Sequence, residues 1–391
     1  MDNFSFYIPT QFEFGRGAEL KAGEMIRSLG GTKVLVHYGS GSAVKSGLIG
    51  RVLAALDTAN LTHVELGGAL PNPRDDLVYE GIRLGRSFSA DFILAVGGGS
   101  AIDSGKAIAA GIPYEGDFWD FFSGKAVPES AVKLGAVLTM AASGSESSNS
   151  CVITQQSTLT KRGLNVELNR PQFALMNPEL TYTLPPYQTA CGATDIMSHV
   201  LERYFTNTHD VDVTDRLCEA LLLTVIRAAK QALKSPMDYD ARAQLMWAGT
   251  LAHNNTCGVG RVGDWASHQI EQVLSGVYDV AHGAGLAVVL PAWMRYTLPH
   301  DPNRFALLAS RVWGCSLDIN HPERTALEGI ERFEDFLRSI GMPSTLKDLG
   351  AKEEDITMLA RRTRRGPDGM TGNFVKLDTP EIEAILKIAN R

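Results

Sequence analysis

Four side chains in the second half of the sequence have the types and spacing needed to hold one divalent metal ion. Asp195 and His199 are four residues apart in a segment of helical character, which places them on one face of that helix. His268 lies in a second predicted helix, and His282 follows in a glycine-containing turn. Neutral imidazoles with one carboxylate suit Fe²⁺ or Zn²⁺ and leave a coordination position open for a substrate oxygen.

Each half of this set also has an ordinary structural interpretation. An Asp and a His four residues apart on a helix often form only a surface hydrogen bond, and a single histidine is more often a core or surface group than a ligand. The metal interpretation gains weight because all four residues occur downstream of a sequence typical of phosphate-binding loops.

That sequence is VGGGSAIDSGKAIA. It begins with three glycines after an apolar, strand-like run: Gly97, Gly98 and Gly99. Glycines let backbone amides approach an anion, and the helix predicted to begin at Ser100 adds the partial positive charge of its N-terminus. Ser100 and Asp103 form an S-x-x-D pattern, so simple helix capping is the alternative for these two residues. Lys106, one turn further on, would reach either a phosphate or solvent.

Two other predicted strand ends carry small polar residues. The first is the run Gly39, Ser40, Gly41 and Ser42; the second contains Thr139 and Ser143. An acidic residue near such a strand end commonly binds the adenosine ribose and repels a 2′-phosphate. Its absence from the first run favours NADP, with NAD possible. The alternative for the first run is an ordinary turn, because Gly and Ser are common in turns. In the second run, some of the hydroxyls would simply cap local backbone groups.

The elements that must position these residues divide the chain in two. Strand-like runs, beginning with FSFYIP, alternate with helical segments in the first half, which predicts an α/β domain with a parallel sheet over residues 1–184. After Pro185 and Pro186 almost every segment has helical periodicity, which predicts an all-helical metal and substrate domain over residues 185–391. The predicted helices there are 188–206, 212–234, 239–255, 264–275, 284–297, 302–314, 323–340, 352–364 and 379–390.

Composition restricts the partners. The chain has 391 residues, 44% of them hydrophobic, and a net charge of −7, so it has no basic excess to bind nucleic acid or an anionic membrane. Its N-terminus lacks the pattern of a secretory signal, and no apolar run approaches the roughly 20 residues of a membrane span. Five scattered cysteines without a CxxC motif favour a reducing cytoplasm over a disulfide framework.

Taken in order, these motifs resemble the iron-containing (group III) alcohol dehydrogenases, whose superfamily also holds glycerol dehydrogenase and dehydroquinate synthase. The resemblance runs along most of the chain through FGRG, PNP, GGGSAIDSGKAIA, SGSE, the Asp195–His199 pair and HGAGLAVVLP. Because of YGSGS, the sequence is most similar to the butanol dehydrogenase and broad-range aldehyde reductase branch. Many members have a second histidine four residues after the third ligand, where this chain has Gln272; glutamine cannot relay a proton as imidazole can.

The resemblance implies that Asp195, His199, His268 and His282 hold Fe²⁺ or Zn²⁺, and that Gly97–Ser100 bind the pyrophosphate. It further implies that Asp103 lies near the nicotinamide, that Thr139 and Lys161 touch the cofactor, and that Gly39–Ser42 lie at its adenosine end. It also implies a homodimer.

The function predicted from these residues is metal-dependent hydride transfer between NAD(P)H and a small aldehyde or primary alcohol. Two alternatives use the same superfamily scaffold: a glycerol dehydrogenase-like enzyme, and a lyase of the dehydroquinate synthase type with no net cofactor turnover. A third is a nucleotide-binding regulator in which the His/Asp set is purely structural. Substrate identity is not readable from the sequence.

Overall fold

The computed structural model describes residues 1–39 and 41–391 and divides them into two compact units. One unit is Tyr7–Leu184, and the other joins Pro185–Arg391 with Met1–Phe6. The first six residues, which we had placed with the α/β range, thus pack with the helical unit. The N-terminal ammonium of Met1 donates to the His209 carbonyl at 3.0 Å, and the Asp2 amide donates to the Gly260 carbonyl at 2.9 Å. The division of functions between residues 1–184 and 185–391 stays a prediction.

The α/β unit contains the predicted parallel sheet. Among the described residues it has six strands in the order β1-β8-β5-β4-β2-β3, every neighbouring pair parallel. Its strands are β1 (Gln11–Phe14), β2 (Lys33–Gly39), β3 (Thr62–Ala69), β4 (Phe92–Gly97), β5 (Lys133–Leu138) and β8 (Phe173–Met176). The strand predicted at FSFYIP is wrong, because the edge strand begins only at Gln11. Pro9 has no N–H to offer a sheet, and the Phe4, Phe6 and Tyr7 side chains are exposed.

The central strand β4 shows why the sheet forms here. All six of its residues are buried, as expected of a parallel strand covered by helices on both faces. Phe92, Leu94 and Val96 pack in the layer that contains apolar residues of α1 and α3, while Ile93 packs in the layer that contains α4 and α5. The helices of this unit are α1 (Ala22–Ser28), α2 (Ser42–Lys45), α3 (Leu48–Thr58), α4 (Asp75–Phe88), α5 (Gly99–Gly111) and α6 (Trp119–Ser123).

The strand order places a topological switch between β2 and β4. The chain leaves β2 outward to β3, returns to β4 on the other side of β2, and continues in the opposite direction through β5 and β8. Ligands of open α/β sheets bind outside the carboxyl ends of the strands at such a point. The strands β2 and β4 end at Gly39 and Gly97, so the two predicted glycine loops begin on either side of the switch.

An antiparallel hairpin in this unit was not predicted. Strands β6 (Ser150–Gln155) and β7 (Thr160–Asn165) pair in register from Ser150–Asn165 to Gln155–Thr160. Most residues at the tip of this hairpin are polar, so the sequence there is typical of a loop. Leu159 at the tip has a positive φ of 52°, which no simple turn pattern predicts. Lys161 therefore lies on a strand, with its position fixed by the hairpin register.

The second unit is helical, as predicted. Its helices are α7 (Pro186–Tyr204), α8 (Asp212–Lys234), α9 (Tyr239–His253), α10 (Ala266–Tyr278), α11 (His282–Thr297), α12 (Pro302–Trp313), α13 (Pro322–Ser339), α14 (Ile356–Arg362) and α15 (Thr379–Ile388). Short 3₁₀ turns of the two units lie at Ala18–Lys21, Glu167–Asn169, Pro178–Thr181, Leu298–His300, Lys347–Leu349 and Glu353–Asp355. One local prediction is wrong: His282 is the first residue of α11 and not part of a preceding turn. Across the described ranges, no helix combines the length and apolar character that crossing a bilayer requires.

A buried histidine in β2 makes the stability of the α/β unit depend on pH. Burial lowers the pKa of His37 from its ordinary 6.5 to about 4, although Nδ1 lies 2.9 Å from the Leu66 carbonyl. Below pH 6.5 the unfolded chain binds a proton that the folded chain does not, so the free energy of unfolding falls as the pH falls. We expect His37 to contribute a loss of about 1.4 kcal/mol between pH 7.5 and 5.5.

Urea unfolding of the wild type and of His37→Gln at both pH values would measure this contribution. Between pH 7.5 and 5.5, the free energy of unfolding of His37→Gln should fall by about 1.4 kcal/mol less than that of the wild type. An identical pH dependence of the two proteins would show that His37 does not titrate on unfolding.

Candidate metal centre and cofactor-binding loops

Three of the four predicted metal ligands form a tight cluster in the helical unit. Asp195, His268 and His282 each bring one ligand atom within 4.8 Å of the others. The Asp195 Oδ1 atom lies 4.0 Å from His268 Nε2 and 3.8 Å from His282 Nε2. Donor atoms about 2.1 Å from a tetrahedral ion are about 3.4 Å apart, so the two pairs that involve Asp195 would have to shorten by roughly half an ångström to hold a cation.

The fourth predicted ligand, His199, borders this cluster without meeting the same distance limit. Its Nδ1 atom lies 3.0 Å from the Asp195 carbonyl and 3.2 Å from Asp195 Oδ1. Its ring centroid is 4.6 Å from that of His268 and 4.0 Å from that of His253. The structure therefore brings all four predicted residues to one place, with His199 beside the other three. Their assignment as ligands stays a prediction.

Close helix packing brings these residues together. Helix α7 is buried continuously from Thr189 to Tyr204, and the Asp195 and His199 side chains are buried with it. Helix α11 lies against α7 through Gly283, where a Cβ atom would be only 2.1 Å from the Cys191 carbonyl oxygen. Gly283 follows His282 directly, so this contact sets the distance of His282 from Asp195.

The environment of His199 favours the form of the ring that binds metals. Burial lowers the pKa of His199 well below its ordinary value, and the neighbouring His253, His268, Arg203 and His282 lower it further. A neutral imidazole retains a lone pair for a cation. His268 Nε2 is buried without a hydrogen-bond partner among the described residues. Since a buried polar atom without a partner is costly, this nitrogen fits a ligand to an ion.

Sequence reasoning missed several residues at this centre. Glu202 and Glu271 are buried, and each accepts a hydrogen bond from Nδ1 of one cluster histidine: His268 at 2.8 Å for Glu202, and His282 for Glu271. The available signal was spacing. Glu202 is seven residues after Asp195 on α7, which is two helical turns, and Glu271 is three residues after His268 on α10.

Trp265 and His253 also lie beside this centre. Its ring is 5.4 Å from that of His268, and the Arg203 guanidinium lies 4.5 Å from the Trp265 ring centroid. The ring of His253 lies 5.9 Å from that of Trp265 and 4.0 Å from that of His199. Both residues border the metal cluster as aromatic neighbours.

The predicted phosphate loop in the α/β unit has the expected strand-to-helix geometry. Gly97 ends β4, Gly98 precedes α5 and Gly99 is its first residue. A Cβ atom on Gly99 would be 2.4 Å from Ser143 Oγ, and one on Gly98 would be 3.2 Å from the Met140 Cβ. The two glycines therefore allow the loop after β5 to lie this close to the helix start, and anion binding by the backbone amides there stays a prediction.

Two side chains of α5, Lys106 and Asp103, have hydrogen-bond partners within the α/β unit, and the place of Asp103 near the nicotinamide stays a prediction. Lys106 reaches neither phosphate nor solvent: it is buried and donates to the carbonyl oxygens of Ser148 at 3.1 Å and Ser150 at 2.7 Å. Asp103 accepts hydrogen bonds from the Ser145 hydroxyl at 2.5 Å and the Val152 amide at 2.9 Å. Burial raises the pKa of Asp103 and lowers that of Lys106, while the attraction between the two charges opposes both shifts.

The other predicted cofactor residues lie around the same sheet edge. Thr139 follows β5, and its amide donates to the Gly97 carbonyl at 3.0 Å. Lys161 Nζ donates to Asn72 Oδ1 at 2.9 Å, which ties the hairpin to the PNP segment. Gly39 ends β2 and Ser42 begins α2, whereas Ser40 lies outside the described residues. Cofactor contacts of these residues stay predictions.

The chain belongs to the iron-containing alcohol dehydrogenase family. Residues 9–178 match the family of iron-containing alcohol dehydrogenases, and residues 189–390 match the C-terminal domain of that family. The predicted family, its butanol dehydrogenase and aldehyde reductase branch, and the enzymatic class of NAD(P)-dependent oxidoreductase are thereby confirmed.

Relatives and solved structures agree with this assignment. The chain is 41% identical over 388 residues to a probable NADH-dependent butanol dehydrogenase of Bacillus subtilis, with 99% of each chain covered. It is 37% identical over 377 residues to an NADPH-dependent aldehyde reductase of Escherichia coli, with 95% of each covered. The crystal structure of an NADH-dependent butanol dehydrogenase A from Thermotoga maritima superposes with a TM-score of 0.97 at 39% identity, covering 100% of this chain and 99% of the other. The predicted fold class is thus confirmed.

The packing at Gly283 yields a test of the metal centre. In Gly283→Ala the new methyl group would overlap the α7 backbone, so α11 must shift and carry His282 away from Asp195. We expect a loss of about 1–3 kcal/mol in the free energy of unfolding and at least a tenfold weaker affinity for Zn²⁺. Competition with a chromogenic chelator measures the affinity.

The control for that substitution is Gly50→Ala, at a helical glycine of α3 with no atom within 4 Å of the added methyl group. It should leave Zn²⁺ affinity unchanged. Wild-type affinity in Gly283→Ala would show that the close approach of α7 and α11 does not set the cluster geometry.

The glycine loop is tested by a larger side chain. Gly99→Val would occupy the space now filled by Ser143 and push the amides of the first α5 turn away from an anion. We expect binding of NADPH, followed by its fluorescence, to weaken at least tenfold while metal content stays at the wild-type level. Gly50→Val controls for a β-branched residue in a helix, and unchanged NADPH binding by Gly99→Val would argue against a phosphate site at this loop.

Proposed function

We propose that the protein catalyses reversible hydride transfer between NAD(P)H and small aldehydes or primary alcohols, with one divalent cation held by Asp195, His199, His268 and His282. The observation that carries the proposal is the convergence of one carboxylate oxygen and two imidazole nitrogens within 4.8 Å, in a cluster of which Asp195 and His268 are buried and His282 is half-buried. Fe²⁺ and Zn²⁺ both accept this donor set. The names of the relatives, a butanol dehydrogenase and an aldehyde reductase, support the substrate class.

A divalent cation at this centre would supply Lewis acidity, which polarises a carbonyl oxygen and stabilises an alkoxide. The protein's own residues would hold the cation. Asp195 would contribute a carboxylate oxygen to the donor set, and the three histidines would contribute imidazole nitrogens. Burial of α7 limits the access of water to the Asp195 and His199 side chains. No side chain has to act as a nucleophile, because the hydride comes from the cofactor.

The dinucleotide is proposed to bind at the carboxyl ends of β2 and β4. Backbone amides at the start of α5, beside Gly98 and Gly99, would hold the pyrophosphate, and the loop from Gly39 to Ser42 would meet the adenosine end. Gly39, Gly41 and Ser42 carry no carboxylate that would repel a 2′-phosphate. We therefore propose a preference for NADPH over NADH.

The oligomeric state and compartment are proposed as well. A homodimer follows from the family resemblance. The five cysteines are free and buried, which fits a protein of the reducing cytoplasm.

The test combines metal removal with a substitution. Purified protein should oxidise NADPH on addition of butanal, lose at least 99% of that rate after chelation and dialysis, and regain it with Fe²⁺ or Zn²⁺. His268→Ala should lack bound metal by elemental analysis and lose turnover, yet bind NADPH normally, because its cofactor loops are untouched. His321→Ala, which removes an exposed histidine at the start of α13, serves as the control.

Two outcomes would refute the proposal. A His268→Ala variant that keeps full activity after chelation would exclude the metal centre. Cofactor that binds but is never consumed with any aldehyde of a C2–C8 panel would exclude net hydride transfer. The ratio of kcat/KM for NADPH and NADH in the same assay decides the cofactor preference.

A further inference from the structure

We infer that two buried carboxylates, Glu202 and Glu271, are positioning residues that fix the tautomer of His268 and His282 and so direct one lone pair of each ring at the cation. The inference rests on the metal centre of the proposed function. Neither glutamate belongs to the cluster that could ligate the ion.

Glu202 accepts two hydrogen bonds from His268, one from the backbone amide and one from the ring. Its Oε1 atom accepts hydrogen bonds from the His268 amide at 3.0 Å and from His268 Nδ1 at 2.8 Å, while Oε2 accepts the Trp265 amide at 2.6 Å. A carboxylate can only accept, so Nδ1 of His268 must carry the proton. Nε2 is then the deprotonated nitrogen, and this is the buried atom that lies 4.0 Å from Asp195 Oδ1.

Glu271 holds His282 in the same way. It is fully buried, and its Oε2 atom accepts the hydrogen bond from His282 Nδ1. The lone pair of His282 is thereby placed on Nε2, 3.8 Å from Asp195 Oδ1. Gly285 provides the space for the carboxylate, since a Cβ atom there would be 2.6 Å from Glu271 Oε1.

His199 completes the pattern with a backbone acceptor. Its Nδ1 atom lies 3.0 Å from the Asp195 carbonyl oxygen, which can only accept a hydrogen bond. All three imidazoles therefore carry the proton on Nδ1 and the lone pair on Nε2. The two glutamates also link the elements: Glu202 on α7 orients a residue of α10, and Glu271 on α10 orients a residue of α11.

This arrangement should matter for metal affinity. A carboxylate that accepts from the second ring nitrogen restricts ring rotation and raises the basicity of the ligating nitrogen; removal of such a group typically weakens metal binding 10- to 100-fold. Since both carboxylates lie in the protein interior, water cannot replace them as acceptors.

Glu271 is the better site for a test, because Glu202 also accepts the Trp265 amide and its loss would disturb the start of α10. We expect Glu271→Gln, which keeps shape but removes charge, to bind Zn²⁺ about 10- to 100-fold more weakly than the wild type in chelator competition. Glu219→Gln is the matched control. Glu219 is a buried glutamate of the same unit that pairs with Arg311 and contacts no cluster histidine.

A second measurement reports the tautomer directly. In metal-free protein labelled with ¹⁵N-histidine, the His282 imidazole should show protonated Nδ1 and unprotonated Nε2 resonances. Glu271→Met, close in shape but without an acceptor, should shift His282 towards a mixture of tautomers and leave the His268 resonances unchanged, because Glu202 remains.

The inference is overturned if Glu271→Gln binds Zn²⁺ with wild-type affinity, if Glu219→Gln loses as much affinity, or if Glu271→Met keeps the single Nδ1–H form of His282. Failure of the proposed function has a different signature. A wild-type protein that binds no divalent cation refutes the metal centre, while the resonances of the metal-free protein still decide whether Glu271 fixes the ring.

Discussion

The metal centre depends on one electrostatic constraint: Asp195 Oδ1 lies 4.0 Å from His268 Nε2 and 3.8 Å from His282 Nε2. Lone pairs that face each other repel, and a buried nitrogen without a hydrogen-bond partner, such as His268 Nε2, is unfavourable. A divalent cation would remove both penalties, because it would bind these three atoms together. Metal binding is therefore coupled to the stability of the unit, and the surrounding fold must keep the donors in place when the ion is absent.

Backbone conformation around α10 contributes to that rigidity. Trp265, the residue before α10, has φ 72°, a left-handed conformation that costs a bulky L-residue roughly 1–2 kcal/mol. Stacking of the Arg203 guanidinium on its ring and the hydrogen bond from its amide to Glu202 offset this penalty. Both partners belong to α7, the helix that carries Asp195 and His199. The helix that provides two donors therefore also fixes where the helix that carries His268 begins.

Regular features of this chain were predictable from local sequence. Periodicity placed α8 at its observed limits and most other helices within about two residues, and the i, i+4 spacing put Asp195 and His199 on one face. Features decided by tertiary contacts were not predictable. Lys106 sits one turn after a glycine loop, like a phosphate ligand, yet turns inward because the hairpin strand β6 offers it carbonyl oxygens. Glu202 and Glu271 look in sequence like surface glutamates of amphipathic helices, and only the packing of α7, α10 and α11 buries them.

The two candidate sites also differ in what limits their affinity for the cofactor and for the metal ion. The protein has a net charge of −7. Lys106, which follows the predicted phosphate loop on α5, is buried and donates to the Ser148 carbonyl oxygen. Attraction for an anionic cofactor must then come mainly from helix-terminal amides and hydroxyls, whose reach is short, so the limiting factor is steric access through Gly98 and Gly99. At the metal centre, steric access is not the limiting factor. Its donors are already within reach of one another, and affinity depends on how basic their nitrogens are, which two carboxylates outside the coordination shell control.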